Sequence, residues 1–256
     1  MCLIILAWRA HPRYPLVVAA NRDEFFRRPT ATAAYWPDAP NVLAGRDLLG
    51  GGTWLGITAN GRFAALTNFR DPSRIREGTP SRGRLVADFL LGNESIAEYG
   101  QRLVAVASHF NGFNLIFGDA AGLAYFSNCG DRSRRLEPGI YGLSNHLLDT
   151  PWPKVDRGKS ALTAALHALP HDAPLMALLR DETVAADEDL PRTGVSLEWE
   201  RLLSAAFVRS ADYGTRSSTV LVLDTEGCLR FGEITFDAQA EMVDRRSFEL
   251  RLPAAT

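Results

Sequence analysis

The residue with most chemistry to offer is a cysteine at position 2. Methionine aminopeptidases remove Met1 when the second residue is small, and that step would leave Cys2 carrying a thiol and a free α-amine. An unperturbed α-amine titrates at about 8, so at pH 7 part of it is neutral and can take the thiol proton. Nucleophile and base then sit on one residue, as in enzymes that use an N-terminal threonine. Position alone equally allows a buried small hydrophobe at the start of a strand.

The tetrapeptide Asn21-Arg22-Asp23-Glu24 carries the groups such a nucleophile needs. A nearby arginine favours thiolate over thiol, and a carboxylate can bind and orient an α-ammonium group. The competing reading is a charged loop that ends a strand. Placement favours the first: Cys2 to Trp8 and Leu16 to Ala20 read as strands joined by a turn at His11-Pro12-Arg13-Tyr14-Pro15. That hairpin returns the end of the second strand to Cys2. Adjacent strand residues face opposite sides. Arg22 and Asp23 can therefore both address Cys2 only if the strand ends or bends there, and the acid beside it is either Asp23 or Glu24.

Other candidates are weaker. Gly50-Gly51-Gly52 lacks the Gly-Lys-Ser/Thr of a phosphate loop and precedes a strand, so it reads as a turn beside a pocket or a β-bulge. Trp54 is a core residue or a ligand platform. His167 and His171 have helical spacing, but Pro170 interrupts them and no further ligand has zinc-like spacing, so no metal is expected. His146 is the one histidine near other candidates. Cys129 and Cys228 read as packing residues, and three cysteines make no disulfide framework.

These groups need a scaffold. Thr53 to Thr58 and Arg62 to Asn68 flank Ala59-Asn60-Gly61, a hairpin signal. Helical periodicity follows over Arg84 to Leu91 and Ser95 to Phe110, with Asn93-Glu94 placed to cap the second. Strands return at Phe113 to Gly118, Ala124 to Asn128 and Ile140 to Leu143. Helices follow at Pro153 to Leu169, Pro174 to Arg180 and Leu197 to Phe207. Thr219 to Leu223 and Leu229 to Ile234 close the pattern as strands across Thr225-Glu226-Gly227. Segregated strands and helices predict an α+β fold. Several strands are apolar throughout, which calls for helices on the outer faces of two packed antiparallel sheets. The segments Pro29 to Pro40 and Phe69 to Ser81 are expected as loops that line the pocket.

Bulk properties exclude several classes. The chain has 256 residues, 46% apolar and 23% charged, with a net charge of −2. It fits one domain over residues 1–256, and it lacks the basic footprint of a nucleic-acid binder. Its longest apolar runs are too short to span a bilayer, and the start lacks a signal-peptide pattern, so a cytoplasmic protein is expected.

In series, several motifs carry a resemblance: Met1-Cys2-Leu3-Ile4, Asn21-Arg22-Asp23-Glu24, Gly51-Gly52-Thr53-Trp54-Leu55-Gly56, Gly142-Leu143-Ser144-Asn145, Asp149-Thr150-Pro151-Trp152-Pro153-Lys154 and Gly214-Thr215-Arg216-Ser217-Ser218-Thr219. Together they resemble the NRDE family of transport and Golgi organisation proteins. The resemblance extends to N-terminal nucleophile hydrolases of the choloylglycine hydrolase and penicillin acylase branch. It implies a four-layer αββα sandwich that cleaves non-peptide amides or transfers acyl groups. On that pattern Cys2 is the nucleophile, its α-amine the base, and Arg22 and Asp23 lie beside it. Asn145 would donate to the oxyanion, and Arg216 would add positive charge near the thiol. Asn21, Glu24, Trp54 and His146 are expected to contact substrate. No cofactor is implied. The family's other implied role is non-catalytic carriage or trafficking of haem, lipid or acyl-CoA in the same pocket. Either way the partner is a small molecule: an acyl amide, acyl-CoA or haem.

Overall fold

The computed structural model describes residues 2–130 and 133–253. In chain order its strands are β1 (Cys2–Trp8), β2 (Leu16–Phe25), β3 (Thr30–Trp36), β4 (Ala39–Asp47), β5 (Leu55–Thr58), β6 (Phe63–Asn68), β7 (Phe113–Asp119), β8 (Gly122–Ser127), β9 (Arg134–Leu136), β10 (Gly139–Leu143), β11 (Tyr213–Leu223), β12 (Cys228–Phe236) and β13 (Met242–Arg251). The helices are α1 (Gly83–Leu91), α2 (Ile96–Val106), α3 (Pro153–Leu166), α4 (Ala173–Leu179) and α5 (Leu197–Leu202).

Side-chain alternation along β1 and β2 explains the layering. Ile4, Leu6, Trp8, Leu16, Val18 and Ala20 enter one apolar cluster, while Leu3, Ile5, Ala7, Val17 and Ala19 enter another. Both faces of these strands are therefore dry, and their sequences run apolar without interruption. The first cluster lies between two antiparallel sheets, ordered β10-β1-β2-β11-β12-β13 and β3-β4-β5-β6-β7-β8-β9. The second lies between the six-stranded sheet and α3 and α4, whose Val155, Leu162, Leu175 and Leu179 complete it. On the far side, α1 and α2 pack Leu85, Phe89, Tyr99 and Leu103 against Phe113, Leu115 and Phe117. The result is the expected αββα sandwich.

Local departures have local causes. The segment Pro29 to Pro40 is mostly strand β3 rather than a loop. Its run of alanines carries little strand propensity, so pairing with β4 decides its state. Strand β13 also escapes a hydrophobic reading, because it is a charged edge strand with only Phe248 and Leu250 turned to the core. The α2 cap is Ser95, in a reciprocal box with Glu98, rather than Asn93-Glu94. In the β5–β6 hairpin Gly61 alone takes positive φ, at 86°. Gly50 to Gly52 form a turn held by Asp47, whose carboxylate accepts from the Leu49 and Gly50 N–H groups.

Candidate active site

The β1–β2 hairpin sets Cys2 directly opposite Arg22. Strand β2 runs on through Asn21-Arg22-Asp23-Glu24 to Phe25, so the tetrapeptide is strand, not the loop after it. Alternation then divides it. Arg22 and Glu24 share the inner face with Cys2, and Asn21 and Asp23 share the face covered by helices.

On the inner face, the Arg22 guanidinium stacks over Trp54 at 4.4 Å from the ring centre. Arg22 borders the space at Cys2, and its buried Nη1 has no hydrogen-bond partner among the described residues. Cys2 is 9% exposed. Burial pushes its thiol up, and Asp23 adds to that, while Arg22 draws it down. Burial outweighs the arginine, so the thiol rests protonated at neutral pH and needs a base. Behind Arg22 lies Glu233, buried on β12, which accepts from the Ala33 N–H at 2.7 Å and Thr219 Oγ1 at 3.2 Å. Desolvation raises it to about 6.

The outer face is tied down by hydrogen bonds, although Asp23 also borders the cavity at Cys2. Asn21 donates to the carbonyls of Leu179 and Ala206 and accepts from Ser218 Oγ, which ties β2 to two neighbouring segments. Asp23 accepts from Thr215 Oγ1 at 2.7 Å. A bulge in β11 between Thr215 and Ser217 brings Thr215 opposite Asp23. Burial raises the Asp23 carboxyl, with Lys154, Thr215 and Arg70 opposing. Among the described residues Cys2–Arg22 is the last β1–β2 pair, and Asp23 follows Arg22 on β2. Arg22 and Asp23 both act on the Cys2 thiol.

A cavity of about 360 Å³ opens at Cys2, bordered by Arg22, Glu24, Arg28, Asp47, Trp54, Asn68 and Arg82. A larger one, about 730 Å³, continues from it and is faced by Phe25, Phe69, Ile75, Phe110, Trp199 and Tyr213 together with Arg70, Arg74 and Arg76. Glu24, Arg28, Asn68, Arg82 and Asn111 form the shared wall. The expected loop Phe69 to Ser81 does line this cleft. Arg28 is clamped by Asp47 at 2.6 Å, with Glu24 at 3.8 Å.

The other expected residues sit further off. Asn145 is fully buried and its amide donates to the Asn68 carbonyl at 2.9 Å, so it holds the strand end from which Asn68 borders the cavity. Ser144 Oγ beside it donates to the Cys2 carbonyl at 3.2 Å. Arg216 is the residue displaced by the β11 bulge, and its Nη1 donates to the carbonyls of Phe25, Phe26 and Arg28. It clamps the turn after β2 and is absent from the residues lining the cavity at Cys2. His146 meets Thr150 at 2.9 Å through Nδ1 and packs on Phe69, and burial lowers it. Cys129 lines the larger cavity, and Cys228 contacts Glu249.

Three residues escape a sequence reading: Asn68, Glu233 and Lys154. Only Lys154 leaves a signal. The chain has two lysines, Lys154 and Lys159, among 28 basic residues, and Lys154 is buried at the start of α3. Its Nζ has no hydrogen-bond partner among the described residues, and desolvation lowers it to about 8. Arg70, close by, forms a buried ion pair with Glu200 at 2.7 Å. Among the described residues no group of three or more His, Cys, Asp or Glu can hold a metal, and no helix is long and apolar enough to cross a membrane.

The αββα layer order is that of the sandwich fold found in N-terminal nucleophile hydrolases. In keeping with this, the chain is similar to a Caenorhabditis elegans N-acylethanolamine-hydrolyzing acid amidase ortholog, with a TM-score of 0.51, 13% identity, and coverage of 86% of this chain and 92% of that one. Within that fold it belongs to the transport and Golgi organisation 2 family, whose model matches residues 1–238. It is 39% identical to the Bos taurus transport and Golgi organization protein 2 homolog, over 91% of this chain and 92% of that protein. Against the Homo sapiens homolog it is 36% identical over 98% and 99%.

Proposed function

We propose that this protein is a cysteine amidohydrolase or acyltransferase acting on a non-peptide amide or thioester, with Cys2 as nucleophile once Met1 is removed. The observation that carries the reading is the pairing of Cys2 with Arg22 at the mouth of a cleft that widens into an apolar groove. In this mechanism the Cys2 α-amine takes the thiol proton as Sγ attacks the carbonyl carbon. The oxyanion is met by the Asn68 amide, which Asn145 positions, and by Arg22. The C–N or C–S bond then breaks, and the leaving group departs with the proton from the α-amine. Water attacks the Cys2 thioester, again giving a proton to the α-amine, and the acid and free thiol are restored. Asp23 orients the α-amine throughout. One well-aimed oxyanion donor lowers the barrier by about 3 kcal/mol.

The groove also supports a second reading, carriage of an acyl-CoA-like amphiphile without chemistry. Aromatic walls suit an acyl chain, and Arg28, Arg74, Arg76 and Arg82 suit phosphates. Haem is less well served, since Cys129, with its thiol raised by burial, offers poor axial ligation. Turnover on a panel of N-acyl amides and acyl-CoA thioesters, with binding measured in parallel for wild type and Cys2→Ala, separates the two. Thiol-dependent turnover lost in Cys2→Ala supports the enzyme. Binding unchanged by Cys2→Ala, with no turnover on any member, supports the carrier.

A further inference from the structure

The buried start of α3 holds a cation that the mechanism above leaves unused. Lys154 follows Pro153 in the first turn, and α3 packs against β1 and β10. Its side chain is 1% exposed, and its Nζ has no hydrogen-bond partner among the described residues. A lysine sealed under a helix start is in an unfavourable place, because the positive end of the helix dipole and the loss of water both oppose its charge. The charged and titratable groups that act on it are Asp23 from β2, Cys2 from β1, Arg70 from the segment after β6, and Arg157 from its own helix. Asp23 favours its charge, as does Cys2 once ionised, and the two arginines oppose it. Arginine is this chain's habitual cation, yet Arg70 stands already committed to Glu200 and stacked over Trp152 at 4.8 Å.

We propose that Lys154 is a positioning residue that acts through Asp23, supplying the buried positive charge that balances this carboxylate and so leaves the Cys2 α-amine free to be neutral. Without it, Asp23 loses one of the buried positive charges that act on it, and the amine is drawn further into its protonated form, in which it cannot accept the thiol proton. Two amines beside one carboxylate cannot both hold a proton at no cost, and the one fixed by the fold displaces the proton from the one that reacts. The inference rests on the reading of Cys2 as an N-terminal nucleophile.

The test reads the amine itself. Protein labelled with 13C-cysteine and 15N-lysine is first weighed intact to establish loss of Met1. The Cys2 Cα shift and the Lys154 Nζ shift are then followed against pH, with Lys159, paired to Asp149 at 2.7 Å, as an internal reference. In wild type the α-amine midpoint is expected below the free value. Lys154→Met raises it by about one unit, a tenfold gain in proton affinity, and Asp23→Asn lowers the Lys154 midpoint. A midpoint unmoved in folded Lys154→Met, or a Lys154 titration unmoved by Asp23→Asn, overturns the inference and leaves the nucleophile intact. Retention of Met1 overturns both. The Asp23→Asn arm keeps the test decisive should Lys154→Met fail to fold.

Discussion

The two faces of the six-stranded sheet at the β1–β2 hairpin make opposite uses of one tetrapeptide. On the inner face, Arg22 and Glu24 border open space, and Arg22 holds an unspent N–H beside Cys2. On the outer face, Asn21 and Asp23 are tied to Leu179, Ala206, Ser218 and Thr215, although Asp23 also borders the cavity at Cys2. The period of two in a strand turns Arg22 and Glu24 to the inner face and Asn21 to the frame, with Asp23 both bonded to Thr215 and bordering the cavity at Cys2. In the mechanism proposed above, the single cysteine on β1 draws on both faces, its thiol on Arg22 and its α-amine on Asp23.

Breaking the frame costs stability, and the largest loss is expected at Glu200. Glu200→Ala strands the buried Arg70 charge, so the urea midpoint should fall by the equivalent of about 4 kcal/mol. A loss under about 1 kcal/mol would show that Arg70 is rehydrated from the larger cavity it borders. Next come the two acids. Asp23→Asn should lower kcat about a hundredfold by leaving the α-amine unoriented, while Glu24→Gln should alter KM with kcat within about threefold. Equal kcat losses would place the acid of the mechanism on the inner face instead. Smaller still is the effect of Glu233, the inner-face acid buried behind Arg22. Its pKa is raised to about 6 in the folded state, so the fold binds its proton more tightly than the unfolded chain does. That contribution is complete below about pH 4.5 and is lost as pH rises through about 6, a change of about 2 kcal/mol. Denaturation series from pH 4 to 8 should show this decline in wild type and not in Glu233→Gln.

Much of this was legible in the chain. The hairpin that returns Asn21-Arg22-Asp23-Glu24 to Cys2 follows from two apolar runs and a proline-rich turn, and continuous apolar strands announced the helix layers. The assignment of the acids was not legible, because it depends on where β1 stops relative to β2, a matter of register that no residue type reports. Arg216 illustrates the same limit: a bulge turns it from the cleft to the carbonyls of Phe25, Phe26 and Arg28. Glu233 and Asn68 come to the site only through long-range pairing. Lys154 is the exception. In a chain with two lysines, one directly after the first turn proline of a helix was a visible oddity, unread because its surroundings come from β1, β2 and the segment after β6.

The central claim is that Cys2 is a freed, acylatable nucleophile on the inner face. Brief incubation with an N-acyl amide or acyl-CoA, an acid quench and peptide mass mapping test it directly. The account predicts an N-terminal peptide that begins at Cys2 and carries a hydroxylamine-labile acyl group. A peptide that retains Met1, or an acyl group found on Cys129 and never on Cys2, would contradict it.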